Sequence, residues 1–448
     1  MLFVLPLACT STPAPPAGTT GTTPIDPTGS EPTVGDTATP PTDTASTGTP
    51  TDPGPTDTGS TGTTAPGPAG AGCDPTDPAL SPLEQQIIAM PADSWLEIPN
   101  TPFLDACRAV EANRPDLSLN EGCAAIINDW SGGAWDPDHR WLLLWGGGHG
   151  GYAGNEVYAL SLHDGAWSAL TEPSVGPFDN SDPLADGNPA SRHTYDQLVW
   201  LDGQGMFAWG GSVAPSGNST DTTWRFEPGN GRWTQLASST VYESVGNFSS
   251  GTAYDPVTDR VLVRSYTHFQ AYDVAADRWE EIEDFGYEPY WPSLSVYGVR
   301  SAAIDPTRRL YFAFGGGDYL VYDIDADALV FDQWVTTGGA PFDNSATAGD
   351  HTEQAYATGG GEVLNAEGPG LEYDPPADAL VAWLGGGPWV LDLTTRVWSR
   401  ADGTGAPAEP IERGTYGRWA WMSYLNAFVL VNEVEQNAYV YKHTAGCG

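Results

Sequence analysis

The chain has 448 residues, with 58 Asp or Glu against 17 Lys or Arg, so its formal net charge is −41 at neutral pH. That charge repels nucleic acid and anionic membrane surfaces and excludes both as electrostatic partners. It favours cations, Ca²⁺ among them, although an acidic surface also serves simply to keep an exported protein soluble.

Residues 1–9 read MLFVLPLAC. A short apolar run ending in Leu-Ala-Cys resembles a bacterial lipoprotein signal, with Cys9 as the lipidated residue; a chance apolar start is the alternative. Residues 10–72 are almost entirely Thr, Pro, Gly, Ser, Ala and Asp. Such a segment cannot bury enough apolar surface to offset chain entropy, so it reads as a disordered tether. A lipid-anchored domain needs a spacer of this kind, and the membrane is then met only through the N-terminal lipid. No later apolar run is long enough to span a bilayer. The folded part is expected over 73–448, as a monomer.

Five cysteines suit an exported protein. With Cys9 carrying lipid, four remain. Cys107 lies close to Cys123, and Cys73 and Cys447 stand at the two ends of the folded part, so these are the expected pairs. The long loop closed by Cys73–Cys447 is worth on the order of 5 kcal/mol in the chain-entropy model. No Cys-x-x-Cys spacing points to a metal.

From about Trp130 onward the chain repeats one pattern. A turn such as Asp-Pro-x-x-Asp-Arg is followed by an apolar run, often a Gly-Gly step, a second apolar run ending in Tyr-Asp, a short turn and a Trp. Asp255 through Trp279 and Asp374 through Trp398 are the clearest copies. A period of roughly 50 residues built only from short strands predicts an all-β protein, a β-propeller. Six blades of four strands are expected, starting near Trp130, His193, Gly251, Ser301, Leu371 and Tyr416. The sixth lacks its fourth, Trp-bearing strand. Ser94–Pro99 has the form of that strand and lies ahead of the first blade, so the N-terminal strand is expected to close the last blade.

The repeat resembles the kelch-repeat propellers, which include the galactose oxidase-like fold. The residues that carry the resemblance are the glycine pairs Gly146-Gly147, Gly210-Gly211, Gly315-Gly316 and Gly385-Gly386, the Tyr272-Asp273, Tyr322-Asp323 and Leu391-Asp392 steps, and the fourth-strand Trp. It covers about Ser94 to His443 and speaks to fold more than to activity. The copper-radical cofactor of galactose oxidase requires a Tyr–Cys crosslink, and no Cys stands between Cys123 and Cys447. That chemistry is not expected, and no cofactor is, apart from a possible Ca²⁺.

Propeller topology sorts the loops onto two faces. Connections from first to second strand are uniformly short turns. Those from second to third strand, and from blade to blade, are long, and long loops on a rigid scaffold tend to carry function. Four of the seven His fall on the long-loop face: His149, His193, His268 and His351. In GGGHGGYAGNE the glycines let His149 and Tyr152 approach a ligand, with Asn155 and Glu156 beside them; a Gly-rich loop satisfying its own backbone is the alternative. In SRHTYDQ, Arg192, His193 and Tyr195 stand at the start of the second blade. Arg300 and Arg413 take equivalent places, the latter in ERGTYGR with Tyr416. The three Arg either form a basic mouth for a carboxylate or sulfate or pair locally with acids. Asp179, Asp182 and Asp186 offer oxygen ligands to Ca²⁺, or are turn formers.

Two functions fit. The first is a binding protein that holds a glycan or protein partner on aromatic loops. The second is a polysaccharide lyase or hydrolase. A lyase needs His or Tyr to take a proton and Arg to neutralise a uronate, roles open to His149, His193, Tyr152, Tyr195, Arg192 and Arg413. A purely structural envelope protein is a third reading.

Overall fold

The structure, a computed structural model, describes residues 73–239, 248, 250–265, 268–285, 300–334 and 356–447. The signal-like segment with Cys9, the tether and His351 lie outside the described residues. The described chain is all-β in character, with a few short helices.

Six antiparallel four-stranded sheets follow one another along the chain. The first is Gly133–Asp136, Trp141–Leu144, Tyr158–Ser161 and Ala166–Ala169. The second is Leu198–Leu201, Gly205–Trp209, Thr223–Glu227 and Arg232–Leu236. The third is Gly251–Asp255, Arg260–Arg264, His268–Asp273 and Arg278–Asp284. The fourth is Ser301–Asp305, Leu310–Gly315, Asp318–Asp323 and Ala328–Trp334. The fifth is Gly370–Asp374, Ala379–Trp383, Trp389–Asp392 and Val397–Arg400. In the sixth, Trp419–Met422, Ala427–Leu430 and Ala438–Lys442 are joined by Ser94–Ile98, whose Trp95 lies opposite Tyr441. The N-terminal strand thus completes the last sheet, as its sequence form predicts.

Each sheet is too small to bury its own apolar side chains, so it shares them with its neighbours. Six apolar clusters do this, one between each consecutive pair of sheets. Between the first and second lie Leu143, Trp145, Met206 and Phe226. Phe207, Trp209, Val263 and Trp279 fill the next gap, then Leu262, Phe269, Tyr311 and Leu320. Phe312, Phe314, Leu380 and Trp398 join the fourth and fifth sheets, and Val381, Trp383, Trp419 and Phe428 the fifth and sixth. The sixth meets the first through Leu142, Leu160, Met422 and Val429. The first strands of neighbouring sheets also lie side by side, and that of the sixth lies against that of the first.

The repeated motif has a physical basis. The Asp ending a first strand accepts the backbone N–H groups of the turn that follows, as Asp136 does from Asp138 and His139 and Asp305 from Thr307 and Arg308. In Tyr-Asp-x-x-x-Asp, the Tyr hydroxyl donates to the second Asp, 2.6 Å for Tyr272 to Asp277; Tyr322 donates likewise to Asp327. Those second Asp residues hold left-handed backbone, where Asp is tolerated. Arginines of these turns tie sheet to sheet: Arg309 pairs with Asp255 and Arg308 with Asp378 at 2.6 Å.

Two features go beyond the repeat. Short helices at Pro82–Ile88, Phe103–Glu111 and Ala125–Asn128 cover the seam between the sixth and first sheets. A small three-stranded sheet is made of Arg192–His193, Ser212–Val213 and Asn218–Ser219. Arg192 and His193 therefore belong to this separate sheet, and the first strand of the second large sheet begins only at Leu198. Both expected disulfides are formed, Cys73–Cys447 and Cys107–Cys123. They fit an oxidising compartment. Among the described residues no helix is long and apolar enough to cross a membrane.

Candidate functional site

Four consecutive sheets place an aromatic residue three positions ahead of their first strand: Tyr416 for the sixth, Trp130 for the first, Tyr195 for the second and Phe248 for the third. These leads converge. Tyr195 lies 6.2 Å from Tyr416 and 6.2 Å from Phe248, ring centre to ring centre. His193 sits 5.2 Å from Trp130, 6.0 Å from Tyr195 and 5.4 Å from His149. The guanidinium of Arg413 lies 4.6 Å over the Trp130 ring, a cation–π contact. Arg413 is fixed there by Asp129 and Glu121.

The backbone at these positions is unusual. Trp130, His149, Tyr195 and Tyr416 have φ of 44°, 38°, 45° and 51°. Bulky side chains rarely adopt this region, at a cost of about 1–3 kcal/mol each, and such strain gathers at functional sites. Hydrogen bonds hold it: Tyr195 N–H donates to Trp130 O at 2.6 Å, and Tyr416 N–H to Gly368 O at 3.1 Å. Gly217 packs so closely on the His149 ring that an added Cβ would stand 2.5 Å from Nε2.

His193 is 3% exposed, and its Nε2 has no hydrogen-bond partner among the described residues. Burial pushes its pKa down to about 3, with His149 adding to the effect, so the imidazole is neutral at physiological pH. Burial raises Tyr195 and Tyr416, which stay protonated phenols. Tyr195, Tyr416 and His193 are buried beneath this site, and the groups it presents outward are the half-buried rings of Trp130 and Phe248, the exposed His149 and the Arg413 guanidinium. Beside Arg413 a hollow of about 460 Å³ runs past Glu412 and Glu433, and a second of about 590 Å³ lies against Glu367 and Trp383.

His149, His193, Tyr195, Tyr416 and Arg413 are thus brought together. Other residues singled out in the sequence are not. Tyr152 is fully buried and donates to Glu156 Oε1 at 2.6 Å, which Tyr158 also reaches at 2.7 Å. This Tyr–Glu–Tyr group is part of the interior, and burial keeps the Glu156 pKa raised. Asn155 ties the loop to Ser174 and Pro189. Arg192, next to His193 in sequence, is fully buried and pairs with Asp182 at 2.8 Å while donating to Ala190 and Gly210 carbonyls. Local pairing, not a basic mouth, is its role. Arg300 is also fully buried. The buried arginine leading into the sixth sheet is Arg418, which donates to four carbonyls, including Ser131 O across the seam; Arg413 stands on the loop.

The three candidate Ca²⁺ ligands are each engaged by local donors. Asp182 takes Arg192, Ala190 N–H, Thr220 and Thr222. Asp179 caps Ser181, and Asp186 caps Asn188. His268 lies apart, 3.6 Å from Glu281 and 3.7 Å from Asp284. Trp130 and Phe248 escaped the sequence reading, although their common offset from a first strand was a usable signal once Tyr195 and Tyr416 were aligned. No protein-family model matches the chain, and no curated protein sequence matches it.

Proposed function

We propose that the six sheets are the blades of a kelch-like β-propeller that binds a glycan on its long-loop face. The six shared cores and the side-by-side first strands support the propeller. The observation that supports the function is the grouping of Trp130, Phe248, His149 and Arg413, which are at least partly exposed, over the buried Tyr195, Tyr416 and His193. Ring faces match the apolar faces of sugars, and the guanidinium suits a carboxylate or sulfate on an acidic glycan. The lipoprotein-like start and the tether would hold this propeller at the cell surface.

The test is binding of the purified protein to a panel of neutral and acidic polysaccharides, with Trp130→Ala and Arg413→Gln as variants. Trp130→Ala should weaken binding on every glycan bound, by about ten-fold, a loss of about 1.4 kcal/mol. Arg413→Gln should weaken only the acidic ones and, because it leaves the buried Asp129 carboxylate without its cation, should also cost about 1–3 kcal/mol of stability. Binding that both variants leave intact rejects the site.

A specific observation favours a second reading. His193 is neutral, its Nε2 has no partner among the described residues, Tyr195 lies 6.0 Å away and Arg413 stands over the Trp130 ring that His193 also meets; an imidazole, a phenol and a guanidinium are residue types a uronate lyase uses. Ultraviolet-absorbing unsaturated product from an acidic polysaccharide, lost in His193→Gln, is the expected result for that reading; no product from any polymer removes it.

A further inference from the structure

The first strands of all six sheets enclose a cavity of about 360 Å³. It is rimmed by Pro137, Asp202, Pro256 and Ser423, all residues of the short turns between first and second strands. It therefore opens on the opposite face from the site above, although its inner end reaches Asp196 and Gly417, the residues that follow Tyr195 and Tyr416. Its wall has a regular composition. The next-to-last residue of the first strand is Trp135, Trp200, Tyr254 or Trp421 in four of the six sheets; all four residues line the cavity and each is only partly buried against its inter-sheet core.

Acids accompany these rings. Asp196 and Glu372 line the inner part and Asp202 the rim, while no Lys, Arg or His is among the lining residues. Asp196 is 7% exposed and is held by backbone N–H groups of Thr252 and Ala302, at 3.1 and 2.8 Å. Thr252, 3% exposed, also lines the cavity, and its hydroxyl has no partner among the described residues. With no cation facing them, burial pushes Glu372 up to about 8 and Asp196 well above the usual carboxylate range, Glu372 adding to the latter, so each favours its protonated form and a bound cation would have to draw it into the charged one.

We propose that this cavity binds a small organic ammonium ion, with its alkyl groups against Trp135, Trp200, Tyr254 and Trp421 and its charge balanced by Asp196 and Glu372. Ring faces and dispersed carboxylates are what a diffuse, weakly hydrated cation requires. Ca²⁺ takes six to eight converging oxygens. Among the described residues the only three His or carboxylate ligand atoms within 4.8 Å of one another are those of His268, Glu281 and Asp284, away from this cavity. A neutral sugar would need directional partners, and no Asn, Gln, Arg or Lys side chain lines the wall.

The experiment is calorimetric titration of the full chain with choline, and with 3,3-dimethylbutan-1-ol as its uncharged counterpart. Choline should bind and the alcohol should not compete. Glu372→Gln, which keeps the shape, and Trp200→Leu should each weaken choline by about ten-fold. Should Trp200→Leu fail to fold, Trp200→Phe replaces it, with a smaller loss in the same direction. Glu372→Gln should leave glycan binding on the far face unchanged, so the two sites fail independently. The proposal is overturned by absence of choline binding at millimolar concentration, by equal binding of the alcohol, by choline affinity indifferent to Glu372→Gln, or by Ca²⁺ or a neutral sugar occupying the cavity in its place.

Discussion

Trp130, His149, Tyr195 and Tyr416 stand out because left-handed backbone elsewhere in this chain falls mostly to turn-forming Asp, Asn, Arg and Gly. His193 gives this group a measurable signature. In the unfolded chain its imidazole titrates near 6.5, and in the folded protein only near 3. Between those values the unfolded state binds the extra proton, so this residue's contribution is complete above pH 6.5 and is lost as pH falls. The slope is up to about 1.4 kcal/mol per pH unit. Denaturant unfolding of wild type and His193→Gln from pH 7 to pH 4 should show the variant gaining on wild type as pH drops; a constant difference would mean that the imidazole is not held neutral. The sequence marked His193 and Arg192 together, since both sit in one short run. It could not show that adjacent residues on an extended strand point to opposite sides, one to the ring cluster and the other to Asp182.

At the scale of elements, the turns explain why strand positions could be read so closely. An Asp that caps a turn and a Tyr that reaches the Asp five residues on, as in Tyr272–Asp277, are local interactions, so their signal is local in sequence. Replacing Tyr272 and Tyr322 by Phe should cost about 1 kcal/mol each. The two turns lie in different sheets, so the losses should add in the double variant, read from urea midpoints; a double loss equal to either single one would show that the turns are one unit. The helices were harder to see. At seven, nine and four residues they are marginal alone and owe their form to packing, as Phe103 does against Tyr158 and Trp167. The Ser81–Glu84 capping box and Pro82 at the first helical position were local signs of the first of them. The extra sheet of Arg192–His193 rests on two-residue strands, too short for any periodicity to register.

For the whole molecule, stability resides in six cores of similar kind, with the seam between sixth and first sheets held by the pairing of Ser94–Ile98 with Ala438–Lys442. The Cys73–Cys447 bridge spans 374 residues and joins the two ends beside that seam. Cys73→Ser with Cys447→Ser should lower stability by about 5 kcal/mol or less, seen as an earlier thermal midpoint, with glycan binding retained below it. An unchanged midpoint would assign closure to the strand pairing alone.

That bridge also decides what happens when something tugs on the chain ahead of Cys73. A peptide strand at the margin of a sheet can be unzipped one rung at a time by a modest pull. Here the pull reaches a covalent link before it reaches Ser94, and passes at once to the other terminus. Ser94–Ile98 and its inner neighbour Ala438–Lys442 then take the load together, so the outer strand cannot be peeled away alone. A domain on a leash, gripping a polymer in flow, would need that resistance.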